Sequence, residues 1–157
     1  MRILLVSAAV LSLAARAAHA QGASLTAAER KLRDAVRADT ADQIAFLAKA
    51  TDIQSATMNV EGVRRAGALF RAAFDSLGFT TRWIDMSETK RAGHLVAEHT
   101  GKPGTTRILL IGHLDTVVEG DSLRWSRADT VGRGAGVGDM KGGDAILLYA
   151  LKAMHKT

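Results

Sequence analysis

Apolar positions along this chain recur first at helical spacing, then at strand spacing, then as an unbroken run. From Ser24 onward Leu32, Val36, Ile44 and Leu47 form one stripe, preceded by Thr26 with Glu29 three positions on. A hydroxyl and a carboxylate at that spacing can each accept a backbone N–H that the first turn of a helix leaves without a partner, so a helix is predicted to start here. Ala38-Asp39-Thr40 predicts a bend or an interruption. The stretch from Thr51 to Asn59 is polar and reads as a loop, with Asn59 placed to cap the next helix. In that helix Val63, Ala66, Phe70, Phe74 and Leu77 recur at helical spacing and read as core. Gly78 follows as a natural stop, because glycine takes positive φ without steric cost.

The period then shortens. Phe79 to Met86 carries β-favouring residues, and Gly93 to His99 alternates more clearly. Gly101-Lys102-Pro103-Gly104 is a turn by composition, and it predicts a hairpin feeding the run Ile108-Leu109-Leu110-Ile111. From Arg107 to Gly112 no polar residue interrupts that run, as expected of a central strand buried on both faces. Residues 120–131 are polar and read as a loop or short edge strand. A last helix is predicted from about Gly142, with Ile146, Leu147, Ala150, Leu151 and Met154 on its buried side. This order predicts an α/β domain, three layers α/β/α around a mixed sheet, with ligands gathering outside the carboxyl ends of the strands. His113 falls at such an end.

Composition narrows the chemistry. A length of 157 residues suits one domain. No cysteine is present, so disulfides and thiolate metal sites are both excluded. Any metal would be held by His, Asp and Glu, which suits catalytic zinc or manganese better than a structural ion. Residues 1–20 read as an export signal: Arg2 first, then the apolar run Ile3 to Ala15, then Ala18-His19-Ala20 as a small-x-small cleavage site. The run is too short for a membrane span. The expectation is a domain of residues 21–157, exported to a periplasm or secreted, with no stable membrane span. Setting Arg2 and Arg16 aside lowers the formal charge from +5 to +3. The remaining basic residues are scattered and no nucleic-acid-binding motif accompanies them, so that class of partner is excluded.

The chemistry gathers between Arg107 and Gly143. The apolar run delivers His113-Leu114-Asp115-Thr116-Val117, in which His113 and Asp115, two apart on extended chain, can share a face. Neutral imidazole is a good zinc ligand, and its second nitrogen needs an acceptor that Asp115 can supply directly or through its surroundings. His-x-Asp could equally belong to a Ser-His-Asp triad or to a structural hydrogen bond, but no Gly-x-Ser-x-Gly nucleophile turn occurs in the chain. A glycine-rich turn, Gly132 to Gly138, then presents Asp139-Met140-Lys141-Gly142-Gly143. Its glycines let the backbone turn tightly beside a bound ion, and one carboxylate can bridge two cations about 3.5–4 Å apart. No phosphate-binding register is completed there.

Together, His113-Leu114-Asp115-Thr116-Val117 and Gly138-Asp139-Met140-Lys141-Gly142-Gly143 resemble the paired signature of a zinc exopeptidase family. That family contains glutamate carboxypeptidase, aminoacylase, acetylornithine deacetylase and succinyl-diaminopimelate desuccinylase. The resemblance implies a dinuclear zinc hydrolase, for which cobalt or manganese can substitute, cleaving a peptide or N-acyl amide bond. It implies His113 as a ligand of one metal, Asp139 as the bridge between two, and Asp115 as the catalytic-site acid supporting His113. It also implies a cis peptide bond after Asp139 and, for a full-length form, a homodimer. The glycine turn leans towards the carboxypeptidase branch.

The family pattern continues with a Glu-Glu pair supplying base and ligand, a further acidic ligand and a distant His. Here Glu29, Glu61, Glu88, Glu98 and Glu119 are all isolated. The expectation is therefore the amino-terminal part of a catalytic domain, truncated, with weak zinc binding and no activity alone. A non-catalytic member using the cleft to bind a peptide or amino-acid derivative is the alternative.

Overall fold

A computed structural model of the chain describes residues 24–120 and 123–157. The expected export signal lies outside the described residues. Contacts divide the chain into two units, residues 1–31 and 32–157.

The first unit carries the start of α1 (Ala27–Ala38). Its capping box forms as expected, the Thr26 N–H donating to Glu29 Oε2 at 2.7 Å and the Glu29 N–H to Thr26 Oγ1 at 3.2 Å. The chain breaks at Asp39 and re-enters α2 (Thr40–Asp52), where the sequence predicts the interruption.

In the second unit α3 (Val60–Ser76) follows a loop and is capped by Asn59, whose Oδ1 accepts the Gly62 N–H at 3.0 Å. The Asn59 amide also donates to the Gln54 carbonyl at 2.9 Å, tying the loop to the helix it precedes. Asn59→Ala is expected to cost about 1 kcal/mol, the usual value of a lost N-cap. A lower urea midpoint with an unchanged slope would register it. The predicted stripe of α3 points inward: Phe70 and Leu77 join Ala50, Leu148 and Tyr149 in the core, and Phe74 packs against them. Phe46 of α2 meets Phe70 edge-on, with ring centroids 5.1 Å apart.

Two strands form near the predicted places, β1 (Thr80–Asp85) and β2 (Gly93–Glu98), paired antiparallel from Thr80↔Glu98 to Asp85↔Gly93. Here the expected topology needs correction. β2 pairs with β1, not across the Pro-Gly turn, and residues 107–112 form no strand. Ile108, Leu109 and Ile111 are 77%, 82% and 78% exposed. A strand buried on both faces needs ladder partners and a covering layer on each side, and among the described residues this run has neither. The polar stretch after it yields instead a hairpin, β3 (Ser126–Ala128) with β4 (Val131–Arg133). The fold is thus α-helices with two antiparallel two-stranded sheets, compatible with part of an α/β domain; among the described residues the mixed sheet and third layer do not appear.

The last helix, α4 (Gly142–Lys156), starts where predicted but is rotated. Ala145, Leu148, Tyr149 and Ala153 are buried, whereas Ile146 and Met154 face outward. Both faces of this helix are apolar, so periodicity alone does not choose between them, and packing on α2 and α3 does. Among the described residues no helix is long and apolar enough to cross a membrane.

Candidate metal centre

Beyond Gly112 the chain passes through His113, Leu114, Asp115 and Thr116. Leu114 packs against the core, which leaves His113 and Asp115 directed away from it. Thr116 is buried and forms a parallel bridge with Ala56. Its N–H donates to the Ser55 carbonyl at 2.9 Å, and its carbonyl accepts the Thr57 N–H at 3.0 Å. These bonds fix the His-x-Asp segment on the loop between α2 and α3. Within the segment His113 Nδ1 lies 2.9 Å from the Asp115 carbonyl oxygen and 3.4 Å from its Oδ1. The backbone carbonyl therefore orients the ring, with the carboxylate a step further off.

The second motif arrives through the β3–β4 hairpin, which is tied to the end of α2 by the Trp125 N–H donating to Asp52 Oδ1 at 2.9 Å. A one-turn π-helical segment, Val137–Lys141, precedes α4, and Asp139 and Met140 depart from helical dihedrals within it. The Asp139–Met140 peptide bond is cis, as the resemblance implies. At Gly136, φ is 77°, and a β-carbon there would come within 3.2 Å of the Lys141 side chain, so the turn needs glycine twice over. Lys141 is fully buried, and its ammonium donates to the Ile53 carbonyl at 2.8 Å. Burial pushes its pKa down, opposed by the charge of Asp52. Lys141 thus makes a buried structural contact that reaches back 88 residues to the end of α2.

Across 26 residues of sequence the two motifs meet: His113 Nε2 lies 2.8 Å from Asp139 Oδ1. Burial works against the charged imidazolium, but the hydrogen bond to Asp139, the Asp115 carbonyl and the two carboxylate charges outweigh it and raise the His113 pKa. With both ring nitrogens facing oxygens, the protonated ring donates from each. Asp139 is 80% exposed, so its carboxylate is open to further contacts.

Among the described residues the other histidines stay away. His94 is on β2 opposite Ile84, His99 packs against the Phe79 ring at 5.3 Å, and His155 is exposed in the last turn of α4. Among the described residues no group of three or more His, Asp or Glu side chains gathers to hold a metal. One imidazole nitrogen and one carboxylate oxygen suit zinc, cobalt or manganese by donor type. They fit two positions of a zinc site, which ordinarily takes four.

Two residues near this centre carry no assignment from the sequence. Asp144, in the first turn of α4, is 8% exposed and its Oδ2 has no hydrogen-bond partner. Its carboxylate lies against Gly112, where a β-carbon would be 2.0 Å from Oδ1. Burial raises its pKa to about 6, and the neighbouring charge of His113 restrains the rise. Its place one turn before Leu148, on the inward stripe of α4, is the signal that could have revealed it. The other is Thr57, whose hydroxyl donates to Asp115 Oδ2 at 2.6 Å. No local pattern marks it, because its partner is 58 residues away.

No family model matches the chain. It is similar to carboxypeptidase G2 of Pseudomonas sp. (strain RS-16), 32% identical over 129 residues, covering 72% of this chain and 28% of that protein. It is also similar to a putative succinyl-diaminopimelate desuccinylase of Mycobacterium tuberculosis, 40% identical over 62 residues, 40% of this chain and 18% of that protein. The chain therefore spans less than a third of the length of these relatives. A carboxypeptidase and a succinyl-diaminopimelate desuccinylase are both among the proteins that the paired motifs resemble, so at a coarse level the similarity supports a hydrolase.

Proposed function

We propose that this chain contributes one side of a dinuclear zinc centre in a hydrolase that cleaves a peptide or N-acyl amide bond, carboxypeptidase-like in substrate. The single observation that carries the reading is the approach of His113 Nε2 to Asp139 Oδ1, 2.8 Å across two motifs 26 residues apart. In this reading His113, through Nε2, would hold one ion, and the Asp139 carboxylate would be shared between two. The Asp115 carbonyl retains the Nδ1 proton, which leaves the Nε2 lone pair for the metal. Bound zinc supplies polarisation of the amide carbonyl and of a water molecule. Among the described residues no third His, Asp or Glu gathers with these two, and in this reading the 157-residue chain alone does not hydrolyse the bond. The same reading places residues 21–157 in a three-layer α/β/α catalytic domain, exported after removal of residues 1–20 and dimeric in a full-length form.

Calorimetric titration of the 157-residue chain with zinc, beside an assay on an N-acyl substrate with a carboxyl-terminal glutamate, tests this. Weak uptake of zinc without hydrolysis is expected. Tight uptake of two zinc ions, or turnover, overturns the one-sided site; no uptake at all overturns the metal reading.

A further inference from the structure

Both motifs of the candidate centre rest on the same short piece of chain, the loop from Ile53 to Thr57 between α2 and α3. One end of it takes the Lys141 ammonium on the Ile53 carbonyl at 2.8 Å, which anchors the turn carrying Asp139. The other end is laddered to the His-x-Asp segment through Ser55, Ala56 and Thr57. Ser55 and Ala56 are buried to within 1% of fully, so this is a packed platform and not a surface loop. Lys141 and the backbone ladder fix the main chain of each motif. Only one side chain of the platform reaches a functional group, the hydroxyl of Thr57.

We propose that Thr57 is a positioning residue of the His113–Asp139 centre, acting through Asp115. The proposal rests on the metal-centre reading above. Thr57 Oγ1 donates to Asp115 Oδ2 at 2.6 Å, the length of a hydrogen bond to an ionised carboxylate. Its other contact, to the Thr116 carbonyl at 3.5 Å, is too long to compete. With Oδ2 held, Oδ1 faces His113 Nδ1 at 3.4 Å while the Asp115 carbonyl meets the same nitrogen at 2.9 Å. The hydroxyl therefore holds the carboxylate behind Nδ1, beside the carbonyl that meets the ring. Threonine suits the task because branching at Cβ restricts χ1, and the backbone on either side is already laddered. Without that donor the Asp115 carboxylate, 34% exposed, is free to turn to water, and the ring loses the acid behind Nδ1.

The test compares Thr57→Val, which keeps the shape and removes the donor, with Thr57→Ser, which keeps the donor. Zinc affinity of the full chain is measured by calorimetry, and the 15N shifts of the His113 ring nitrogens are measured in metal-free protein. Thr57→Val is expected to weaken zinc binding by about 10- to 100-fold, the usual effect of losing a group behind a metal-bound histidine. It should also shift the Nδ1 resonance, and Thr57→Ser should restore both. Unchanged affinity and ring shifts in Thr57→Val, or a Thr57→Ser variant as impaired as Thr57→Val, would overturn the proposal. If the unaltered chain takes up no zinc, the metal reading fails, and the ring shifts alone decide the role of Thr57: moved by Val and restored by Ser, it stands. Should Thr57→Val not fold, Asp115→Asn, which weakens the same acceptor, must reproduce the shift of Nδ1, and its failure to do so counts against the proposal.

Discussion

Alanine in place of Asp139 is expected to remove zinc uptake by the chain while leaving the fold standing. Asp139 is 80% exposed, and its carboxylate meets His113, so truncation disturbs little packing. Exposed substitutions of this kind change stability by within about 0.5 kcal/mol. The effect on the metal should be far larger. Removing a group behind a ligand costs about 10- to 100-fold in affinity, and removing one of two ligands should exceed that. A second readout needs no metal. The Asp139 carboxylate is one of the groups that raise the His113 pKa against burial, so in Asp139→Ala the His113 titration should move down. Calorimetry with zinc and the NMR titration of His113 check the two parts. An Asp139→Ala chain that binds zinc as tightly as the unaltered one would sink the assignment, whatever the histidine does.

The elements around that centre that were legible in the sequence are the ones that depend on local chemistry. Thr26 and Glu29 form their box, Asn59 caps α3, and Phe70 and Leu77 reach the core, because each needs only neighbours within a few turns. The two motifs are likewise local: a His-x-Asp segment and an Asp after a glycine turn each carry their own geometry. Their meeting at 2.8 Å is a tertiary fact that only the resemblance anticipated. What escaped was set by partners far along the chain. Ile108 to Ile111 has the composition of a buried strand, but composition does not supply ladder partners, and here the run is exposed. The face of α4 is chosen by α2 and α3, not by its own apolar residues. The loop at 53–57 looked polar and unstructured, and its role depends on Asp115 and Lys141, 58 and 88 residues away from their partners in it.

Asp144 is where local pattern and tertiary environment conflict most sharply, and it leads to the second large expected effect. An acid in the first turn of a helix is favoured by the helix dipole. Here, though, it is turned inward to 8% exposure against Gly112, with Oδ2 unpartnered. Burial raises its pKa from the ordinary 3.8 to about 6 in the folded protein. Folding is therefore easiest while the group is neutral in both states, below about pH 4. As pH rises from there to about 6 the unfolded chain releases its proton while the folded chain retains it, and stability falls. That rise corresponds to about 3 kcal/mol lost by pH 7 relative to pH 4. Asp144→Asn lacks this titration. It leaves an amide in the same place, at a cost of about 1–3 kcal/mol that does not vary with pH. The difference in urea-unfolding free energy between the unaltered chain and Asp144→Asn, followed from pH 4 to 8 in the presence of a chelator, should thus move by about 3 kcal/mol in favour of the variant. Groups distant from residue 144 contribute equally to both proteins and cancel. A difference that stays flat across that range would show that the Asp144 carboxylate is hydrated in solution and that Gly112 does not enclose it.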